Sequence, residues 1–343
     1  MSEPHVAIIG ITGAVGQEMI QCLEKRDFPI KKLTLLASAK SAGKIFSFKG
    51  KEIPVQELTL DSFDDVDIPL FSAGGSISKE FAPVAAKSGA VVIDNSSAFR
   101  MDPEVPLIIP EINPEATHSN KGIIANPNCS TIQLVVALKP IQDAVGIERI
   151  NVSTYQAVSG AGRRAIETLT VQTRAVLSGD DPVTGPDAEK SVVFNVVPKI
   201  DRLLDNGFTK EEMKMIWETQ KILESADIMV NPTCARVPVF WGHSESIHLE
   251  TRRKITAPEA QKLLNSAPGI VVLDGESPGA YPTAVTEAAH RDAVFVGRIR
   301  EDLSHPKGLN LWVVSDNLRK GAALNAVQIA EELVRQQTLA PRP

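Results

Sequence analysis

The sequence predicts an α/β protein of two domains, one built on a parallel sheet and the other an α+β domain with a largely antiparallel sheet. Three observations lead to this fold class. A short apolar strand near the start runs through a glycine-rich turn into a helical pattern, strand and helix patterns then alternate as far as a turn with a single cysteine, and strand patterns dominate beyond residue 228. We place the first domain at residues 1–128, with the last helix at 318–343 packing back on it, and the second at 129–317.

The composition is that of a globular protein. The chain has 343 residues, of which 43% are hydrophobic, so it is long enough for two sizeable cores and fits neither a disordered nor a membrane class. Its net charge is −6 and it has no basic run, so nucleic acid is not expected as a partner. The three cysteines are widely spaced and never paired as CxxC, which argues against a disulfide framework or a metal site and for a reducing compartment.

The first strand, His5 to Gly10, ends in a turn that is followed by a helical pattern as far as Arg26. The turn carries Gly10, Gly13 and Gly16, spaced G-x-x-G-x-x-G rather than the commoner G-x-G-x-x-G. Glycines let the backbone approach closely, so that a pyrophosphate can sit on the helix N-terminus. Glycines between a strand and a helix can also simply make a tight turn. The position of this turn favours a Rossmann-type dinucleotide-binding domain.

The loop after the second strand, Leu33 to Ala37, indicates which dinucleotide binds. An NAD-binding protein usually has an acidic residue here for the ribose 2′-hydroxyl, and this chain has none. Instead the loop has hydroxyls and positive charge, in Ser38, Lys40, Ser41 and Lys44, which suit a 2′-phosphate. The alternative is a solvated polar loop. We therefore predict NADP rather than NAD as the cofactor.

The rest of the first domain places further polar loops at strand ends. We expect an ancillary hairpin over Gly43 to Gln56, a helix around Phe81 to Ala86, and sheet strands at Val66 to Phe71 and Val91 to Ile93. A second small-residue turn, Ser72-Ala73-Gly74, follows the first of these strands, where ligands of open α/β sheets bind. The loop after the second ends in Arg100, whose guanidinium suits a phosphate or is a surface charge.

The stretch Asn126 to Thr131, NPNCST, is the strongest candidate for chemistry. Cys129 precedes an apolar segment, Ile132 to Leu138, which is long enough for a buried helix that Pro140 is expected to close. A helix N-terminus favours the reactive thiolate over the thiol. Most free cysteines are instead small buried hydrophobes. Two asparagines and a proline fit a core position poorly, so we favour a nucleophile.

The second domain is predicted from its strand and helix patterns. The strands are Asn151 to Ala157, Ile228 to Asn231, Val237 to Phe240, Glu245 to Glu250, Val271 to Asp274, Ala293 to Ile299 and Leu309 to Val314. The helices are one opened by Ser159-Gly160 and running to Leu177, then Thr209 to Glu224, Pro258 to Ser266 and Gly321 to Gln336. Asp180 to Lys190 is predicted to be a loop. The apolar stripe of the last helix is expected to cover the first domain.

Two residues of the second domain have suggestive chemistry. Arg236 suits a carboxylate, and His243 is a possible proton carrier, although a lone histidine is more often structural. Their separation of seven residues would place them on opposite faces of one straight strand. Pro238 and Gly242 permit a bend that brings them together.

The helix from Thr209 carries a charged pair on one face. Thr209 is expected to be the N-cap, with Glu212 completing a capping box. Glu211 and Lys214 are three residues apart and therefore share a face. On spacing alone this pair is a surface ion pair.

Nine blocks of the chain, in order, resemble the aspartate-semialdehyde dehydrogenase family. The blocks are GITGAVG, FSAGGSISKEF, IDNSSAFR, IPEIN, NPNCST, STYQAVSGAG, EEMKMIWETQKIL, CARVPVFWGHSES and RKGAALNAVQIAE. The resemblance implies NADP-dependent interconversion of L-aspartate 4-semialdehyde and phosphate with L-aspartyl 4-phosphate, a step toward lysine, methionine, threonine and isoleucine. No metal is implied.

The resemblance also implies roles for single residues. The catalytic residues would be Cys129 as nucleophile, His243 as acid/base and Gln156 as the group that orients the acyl carbon. The substrate contacts would be Arg236 at the α-carboxylate, Glu211 near the amino group, Arg100 and Lys214 at the phosphate, and Asn128 beside the nucleophile. The cofactor contacts would be Gly10, Thr12, Gly13, Ala14, Val15, Gly16, Ser38, Ser41, Ser72, Ala73, Gly74, Ser159, Gly160 and Asn317.

Alternatives and partners complete the prediction. A related thiol enzyme, such as N-acetyl-glutamyl-phosphate reductase or a thiol acyltransferase, and a non-catalytic NADP-binding paralogue are the competing functions. We expect a homodimer or a dimer of dimers, because one helix is too little to cover the strands between residues 228 and 314 and because Phe240 and Trp241 are apolar outward candidates. No membrane partner is expected. The first strand follows the N-terminus closely, which predicts a cytoplasmic protein or a plastid-stroma protein trimmed of its transit peptide.

Overall fold

The structure is a computed structural model that describes residues 3–182 and 190–336. The chain divides into two compact units, Met1–Asn128 with Ala322–Pro343, and Cys129–Gly321. The predicted division placed residues 318–321 with the last helix, whereas these residues cluster with the second unit. Part of the predicted loop Asp180 to Lys190, residues 183–189, lies outside the described residues.

The first unit contains a seven-stranded sheet. Its strands are β1 (His5–Ile9), β2 (Lys32–Ala37), β3 (Ile45–Phe48), β4 (Lys51–Glu57), β5 (Ile68–Phe71), β6 (Val92–Asp94) and β7 (Ile123–Ala125). Its helices are α1 (Ala14–Lys25), α2 (Gly75–Lys87) and, from the end of the chain, α7 (Leu324–Gln336). The strand order is β3-β4-β2-β1-β5-β6-β7, and only β3 and β4 pair antiparallel. The predicted hairpin is present but is not ancillary, because β4 pairs with β2 and extends the main sheet.

Burial on both faces explains the parallel sheet of the first unit. The strands β1, β5 and β6 are buried at every position, as expected for strands covered by helices on two sides. One core cluster contains Cys22 of α1 together with Leu324, Val327 and Ala330 of α7, so the apolar stripe of the last helix lies where the sequence predicted. Arg26 also donates two hydrogen bonds to Glu331, at 2.6 and 2.7 Å.

The second unit contains a six-stranded mixed sheet. Its strands are β8 (Ile147–Gln156), β9 (Met229–Arg236), β10 (His243–Thr251), β11 (Ile270–Val272), β12 (Val294–Glu301) and β13 (Gly308–Ser315). Its helices are α3 (Cys129–Val145), α4 (Arg163–Leu177), α5 (Lys210–Ile222) and α6 (Ala257–Ser266). The order is β11-β12-β13-β10-β8-β9, with antiparallel pairs in the centre and a parallel pair at each edge. The expected largely antiparallel sheet is confirmed.

Two element predictions in the second unit are wrong. Helix α3 does not end at Pro140 but continues through it to Val145. A proline inside a helix costs about 3 kcal/mol, and seven buried apolar side chains of α3 offset this loss. Val237 to Phe240 is irregular rather than a strand, because β9 already ends at Arg236 and the chain bends before β10.

One face of the second sheet is covered by helices of the same unit. Along β10, the fully buried Glu245 and Leu249 alternate with the half-buried Ser246 and His248. One face of the sheet is therefore more deeply buried than the other. Helices α3, α5 and α6 all pack on this sheet, which is more than the single helix on which the dimer prediction relied. Phe240, predicted to face outward, packs against a small cluster of its own unit. No helix in the described part of the chain is long and apolar enough to cross a membrane.

Candidate active site

Cys129 is the first residue of α3, as the sequence predicted. Its Sγ lies 3.3 Å from Nε2 of His243, the first residue of β10. The side chain is partly exposed, whereas the other two cysteines are buried. A Cβ on Gly321 would lie 2.8 Å from the Cβ of Cys129, so only glycine fits where the chain passes the thiol. The structure therefore places the candidate nucleophile beside a histidine at a helix N-terminus.

The surroundings of His243 fix its protonation. The ring is fully buried, and its Nδ1 accepts a hydrogen bond from the backbone N–H of Ala157 at 3.0 Å. The neutral ring therefore carries its proton on Nε2, which faces the sulfur of Cys129. Burial is the main cause that lowers the pKa of His243 to about 3, and the positive charge of Arg236 adds to it, while Glu211 opposes the shift. His243 is thus a neutral hydrogen-bond donor to the thiol group at physiological pH.

Arg236 and His243 are brought together by the predicted bend. Arg236 ends β9, His243 begins β10, and Gly242 has a φ of +84° between them. Nη1 of Arg236 donates to the carbonyl of Ala157 at 2.7 Å, so one residue holds both side chains through its two backbone groups. Gly160 borders both, because a Cβ there would lie 3.1 Å from Nη1 of Arg236 and 3.2 Å from Cε1 of His243.

Gln156 and Glu211 lie in the same cluster. Nε2 of Gln156, at the end of β8, is 3.3 Å from Oε1 of Glu211 in the first turn of α5. The predicted capping box starts this helix, with Thr209 accepting from the N–H of Glu212 and the Glu212 carboxylate accepting from Thr209. Gln156 and Glu211 are only 1% and 5% exposed. An amide and a carboxylate are therefore held close to the buried histidine.

Lys214 is not a surface residue, contrary to the interpretation from spacing alone. Its Nζ lies 3.0 Å from Glu211 and 3.1 Å from Asp201, and its side chain is only 16% exposed. Burial would lower the pKa of Lys214, but the attraction of Glu211 and Asp201 outweighs burial and raises the pKa. The pKa of Asp201 is lowered, because hydrogen bonds from Arg202 and Lys214 outweigh the effect of its burial. Asp201 is therefore the second carboxylate beside Lys214. The site therefore has a charged ammonium group that two carboxylates hold in place.

Three residues predicted to contact the cofactor also lie in the second unit. Asn317 follows β13, and its Oδ1 accepts from the backbone N–H of Gly242 at 2.9 Å, next to His243. Its amide nitrogen donates to the hydroxyl of Ser159 at 2.9 Å. Both residues are 2% exposed, and Gly160 follows directly in the chain. Asn317 and Ser159 thus brace the loop before His243, and their contact with a cofactor stays a prediction.

The glycine turn of the first unit is built for close backbone approach. A Cβ on Gly16 would lie 2.5 Å from the carbonyl oxygen of Gly10, so the helix can start this close to the strand only with glycine. Gly13 is the N-cap of α1, and no side chain caps the helix or places an acid in its first turn. Residues 12–15 are half-exposed. The free helix N-terminus is therefore available to a phosphate group.

The two neighbouring loops of the first unit are polar and accessible. Ser38, Lys40 and Lys44 are exposed after β2, while Ser41 is 9% exposed. Ser72, after β5, donates its hydroxyl to the carbonyl of Ile9 at 3.1 Å. The adjacent residues 73 and 74 are half-exposed and exposed. These loops follow parallel strands, as ligand-binding loops of such sheets do.

Arg100 is buried in the first unit and bonds to neutral groups of the backbone. Its Nε donates to the carbonyl of Asn126 at 2.9 Å, and Nη2 donates to that of Asn95 at 2.8 Å. It therefore braces the segment that leads to Asn128, which is 6% exposed, and to Cys129. A guanidinium in this position suits an anion, because it can donate to phosphate oxygens.

Sequence reasoning missed three contributors to this site. Ala157 acts through its backbone, and Asp201 reaches Lys214 from a separate loop, so neither has a local signal. Gly321 stood inside a family block but only the structure shows why glycine is needed there. Within residues 3–182 and 190–336, no three His, Cys, Asp or Glu side chains are grouped as a metal site requires.

Comparisons with known proteins agree over nearly the whole chain. Residues 5–120 match the family described as semialdehyde dehydrogenase, NAD binding domain, and residues 138–320 match semialdehyde dehydrogenase, dimerisation domain. Aspartate-semialdehyde dehydrogenase of Shewanella violacea is 57% identical, covering 97% of this chain and 98% of the relative, and that of Legionella pneumophila is 55% identical, covering 97% and 96%. The crystal structure of aspartate semialdehyde dehydrogenase II complexed with ASA, from Vibrio cholerae, has a TM-score of 0.95 at 54% identity and covers 98% of this chain and 99% of that one. The chain belongs to the aspartate-semialdehyde dehydrogenase family.

Proposed function

We propose that the enzyme reduces L-aspartyl 4-phosphate to L-aspartate 4-semialdehyde with NADPH, through a thioester on Cys129. The step leads toward lysine, methionine, threonine and isoleucine. The observation that carries the proposal is the contact of 3.3 Å between Sγ of Cys129 and Nε2 of His243 at the start of α3. A thiol there has both a hydrogen-bond donor and a helix N-terminus to stabilise its anion.

In the first half of the reaction the Cys129 thiol loses its proton and the thiolate attacks the acyl carbon. The S–C bond forms as the bond from carbon to the phosphate oxygen breaks, and the departing phosphate takes up the proton that the thiol lost. Lys214 and Arg100 are assigned to this phosphate because both have a buried positive charge. The backbone N–H groups at the start of α3 are assigned to the developing oxyanion.

The substrate's own charges are matched by the buried groups around Ala157. Arg236 is assigned to the α-carboxylate, since its guanidinium has further donors beyond the one used by Ala157. Glu211 is assigned to the amino group, and Gln156, hydrogen-bonded to Glu211, to the orientation of the acyl group. Asn128 is assigned to the substrate because it directly precedes the nucleophile.

The cofactor is NADP, and the first unit fits it. The uncapped N-terminus of α1 and the turn from Gly10 to Gly16 suit the pyrophosphate. Ser38 and Ser41, with Lys40 and Lys44 nearby, suit the 2′-phosphate, and no acid stands at the end of β2 to repel it. The further cofactor contacts proposed are Thr12, Gly13, Ala14, Val15, Ser72, Ala73, Gly74, Ser159, Gly160 and Asn317.

NADPH supplies the hydride that reduces the acyl carbon. In this second half His243 keeps its Nε2 proton directed at the sulfur, so it stabilises the thiolate as the S–C bond breaks and the aldehyde forms. The hydride and the breaking S–C bond balance without a further proton. The acid/base role that the resemblance implies for His243 is thus replaced in this proposal by hydrogen-bond donation from the neutral ring, which suits both halves of the reaction.

A direct assay tests the function. The purified enzyme with L-aspartate 4-semialdehyde, phosphate and NADP should produce NADPH, seen as a rise in absorbance. The rate should require phosphate, because phosphate releases the acyl group from the thioester. Absence of phosphate-dependent NADPH formation would contradict the proposal.

The closest competing function is reduction of N-acetyl-glutamyl phosphate. The carboxylate of Glu211 inside the site argues against it, since an N-acetylated substrate has no amino charge to bind there. A matched assay with N-acetylglutamate semialdehyde should give a kcat/KM about a hundredfold lower than that for L-aspartate 4-semialdehyde. A thiol acyltransferase would release no NADPH, and a non-catalytic paralogue would turn over neither substrate.

A homodimer is proposed through the open face of the second sheet. That face carries Tyr155 and Trp312, whose ring centroids are 5.7 Å apart, both only partly covered by their own unit. The matched family domain is described as a dimerisation domain. A self-complementary contact would cover the face. Light scattering should give at least twice the chain mass of 37.0 kDa, and four times that mass would indicate a dimer of dimers.

The cytoplasm is the proposed compartment. The three cysteines are all free, as expected where thiols stay reduced. Fractionation of the source cells tests this, and recovery from plastid stroma would support the alternative.

A further inference from the structure

Beneath the Cys129–His243 pair lies a second pair of side chains that the reaction does not use. Gln133 is one helical turn after Cys129 on α3, and Glu245 is two residues after His243 on β10. Residues four apart on a helix and two apart on a strand share a face. The distance from Cys129 to Gln133 along the helix axis is about 6 Å, and that from His243 to Glu245 along the strand is about 7 Å. The two displacements are therefore similar in length.

Glu245 and Gln133 are buried, and three of their four polar side-chain atoms lack a hydrogen-bond partner among the described residues. Both are 0% exposed, and neither carboxyl oxygen of Glu245 nor Nε2 of Gln133 has a hydrogen-bond partner among the described residues. The other amide atom of Gln133, Oε1, accepts from the hydroxyl of Ser315 at 2.8 Å. Ser315 pairs with His243 across β10 and β13. The oxygen of the Gln133 amide is thus held by Ser315. Its N–H₂ group remains available to donate a hydrogen bond to a carboxyl oxygen of Glu245.

Burial of unpaired polar groups is unusual and calls for an explanation. An unsatisfied buried polar group costs about 1–3 kcal/mol, and a hydrophobic side chain would avoid this. Burial raises the pKa of Glu245 well above its ordinary value, and the nearby amide of Gln133 offsets this only in part. Burial therefore favours the uncharged carboxyl, and its terminal torsion is soft enough for an oxygen to turn toward the amide of Gln133.

We propose that Glu245 is a positioning residue for the Cys129–His243 pair, acting through the side-chain amide of Gln133. The hydrogen bond links the first turns of α3 to β10 and so sets the distance between sulfur and imidazole. Glu245 also faces Thr154 across β8 and β10, and the Thr154 hydroxyl accepts from Gln156 at 3.3 Å. The same carboxyl is thereby adjacent to the strand that carries Gln156.

Kinetics of four variants and one control test the positioning role, which for turnover rests on the proposed function. Glu245→Leu and Gln133→Leu should each lower kcat by about tenfold to a hundredfold with KM within about threefold, because misplacement acts on the chemical step. Glu245→Gln keeps the shape and a neutral acceptor, so it should retain kcat within about twofold. The double Leu variant should lose no more than the worse single variant, because both remove one link. Ile247→Ala, on the same face of β10, is the control for lost packing.

A second readout needs no substrate. Cys22 and Cys234 are 0% exposed, so iodoacetamide should label Cys129 selectively. The pH profile of this labelling should shift in Glu245→Leu and Gln133→Leu but not in Glu245→Gln or Ile247→Ala. If Glu245→Leu does not fold, Gln133→Leu decides, because it breaks the same bond.

Three results would overturn the inference. They are unchanged kcat and labelling in both Leu variants, losses no different from those of Ile247→Ala, and a Glu245→Gln variant as impaired as Glu245→Leu. Should the wild-type protein fail to turn over aspartate semialdehyde, the proposed function fails, and the labelling comparison still decides the positioning role.

Discussion

Cys129 and Cys234 belong to the same unit but lie in surroundings that give one thiol reactivity and deny it to the other. Cys129 starts a helix, is partly exposed and lies 3.3 Å from His243. Cys234 lies within β9, is fully buried and directs its sulfur at the thioether of Met215, 3.5 Å away. Burial raises the pKa of the Cys234 thiol far above its ordinary value, and the carboxylates of the adjacent helix α5 add to this. Reactivity here depends on position within the fold rather than on residue type.

The largest expected effect comes from removing the reactive thiol. Cys129→Ala should lower kcat by about a thousandfold or more, because no other group can form the thioester. NADP binding should persist, since the proposed 2′-phosphate and pyrophosphate contacts lie in the first unit. Steady-state kinetics and cofactor titration check the two parts. A variant with the wild-type rate would show that the comparison between the two cysteines is wrong.

Arg236 should have the next largest effect. Arg236→Lys keeps the charge but loses the planar fork, so KM for aspartate semialdehyde should rise by about tenfold to a hundredfold. The exposed Arg149 of β8 supplies the control, because Arg149→Lys should leave KM unchanged. Equal KM values in the two variants would remove Arg236 from the substrate site.

His243 distinguishes the two cysteines, and its state can be tested through stability. A histidine whose pKa falls on folding binds fewer protons when folded, so the protein loses stability as the pH drops below 6.5 toward 3. At pH 5 this loss is about 2 kcal/mol. His243→Asn removes it, so the variant should gain about 2 kcal/mol relative to wild type between pH 7 and pH 5. Urea unfolding at both pH values measures the gain, and His118→Asn, at an exposed site, should show none.

Cofactor preference should depend on neither cysteine. Ser38→Asp adds a negative charge where the 2′-phosphate is expected, and should erode the NADP over NAD ratio of kcat/KM by about tenfold. Ser47→Asp adds the same charge on the exposed edge strand β3 and should leave the ratio unchanged. Equal kcat/KM for NAD and NADP in the wild-type enzyme would refute the interpretation of this loop.

The smallest effect on activity is expected from the buried cysteines. Cys234→Ala and Cys22→Ala should keep kcat within about twofold while lowering the free energy of unfolding by roughly 1–2 kcal/mol, because each removes a packed sulfur. Thermal melting and kinetics on the same samples separate the two effects. A selective loss of rate without a change in melting temperature would mean that the buried thiol takes part in the reaction.

Local sequence predicted the half of the site that depends on local structure. The helix start at Cys129 follows from polar residues placed directly before an apolar run, and the capping box at Thr209 from its spacing. Both rest on interactions within a few residues of the chain. The glycine turn after β1 could also be predicted, because the close backbone approach that requires glycine there lies within a few residues of the chain.

The remaining half depends on tertiary contacts that no local pattern carries. The spacing of Glu211 and Lys214 fits a surface pair, and only the packing of α5 with Asp201 shows that Lys214 is buried. Pro140 predicts a helix end, yet packing along the whole of α3 overrides that preference. The neighbours of Glu245 arise from strand register, and Ala157 meets His243 just beyond the end of β8. The sequence of one strand encodes neither contact.

The central claim is that Cys129, and neither buried cysteine, forms the acyl-enzyme. Wild-type enzyme mixed with L-aspartyl 4-phosphate in the absence of NADPH, then acid-quenched and digested, should carry one aspartyl group on the peptide that contains Cys129. The adduct should be absent from Cys129→Ala and should disappear from wild type when NADPH is added. An adduct on Cys22 or Cys234, or turnover by wild type with no cysteine adduct at any time after mixing, would contradict the account.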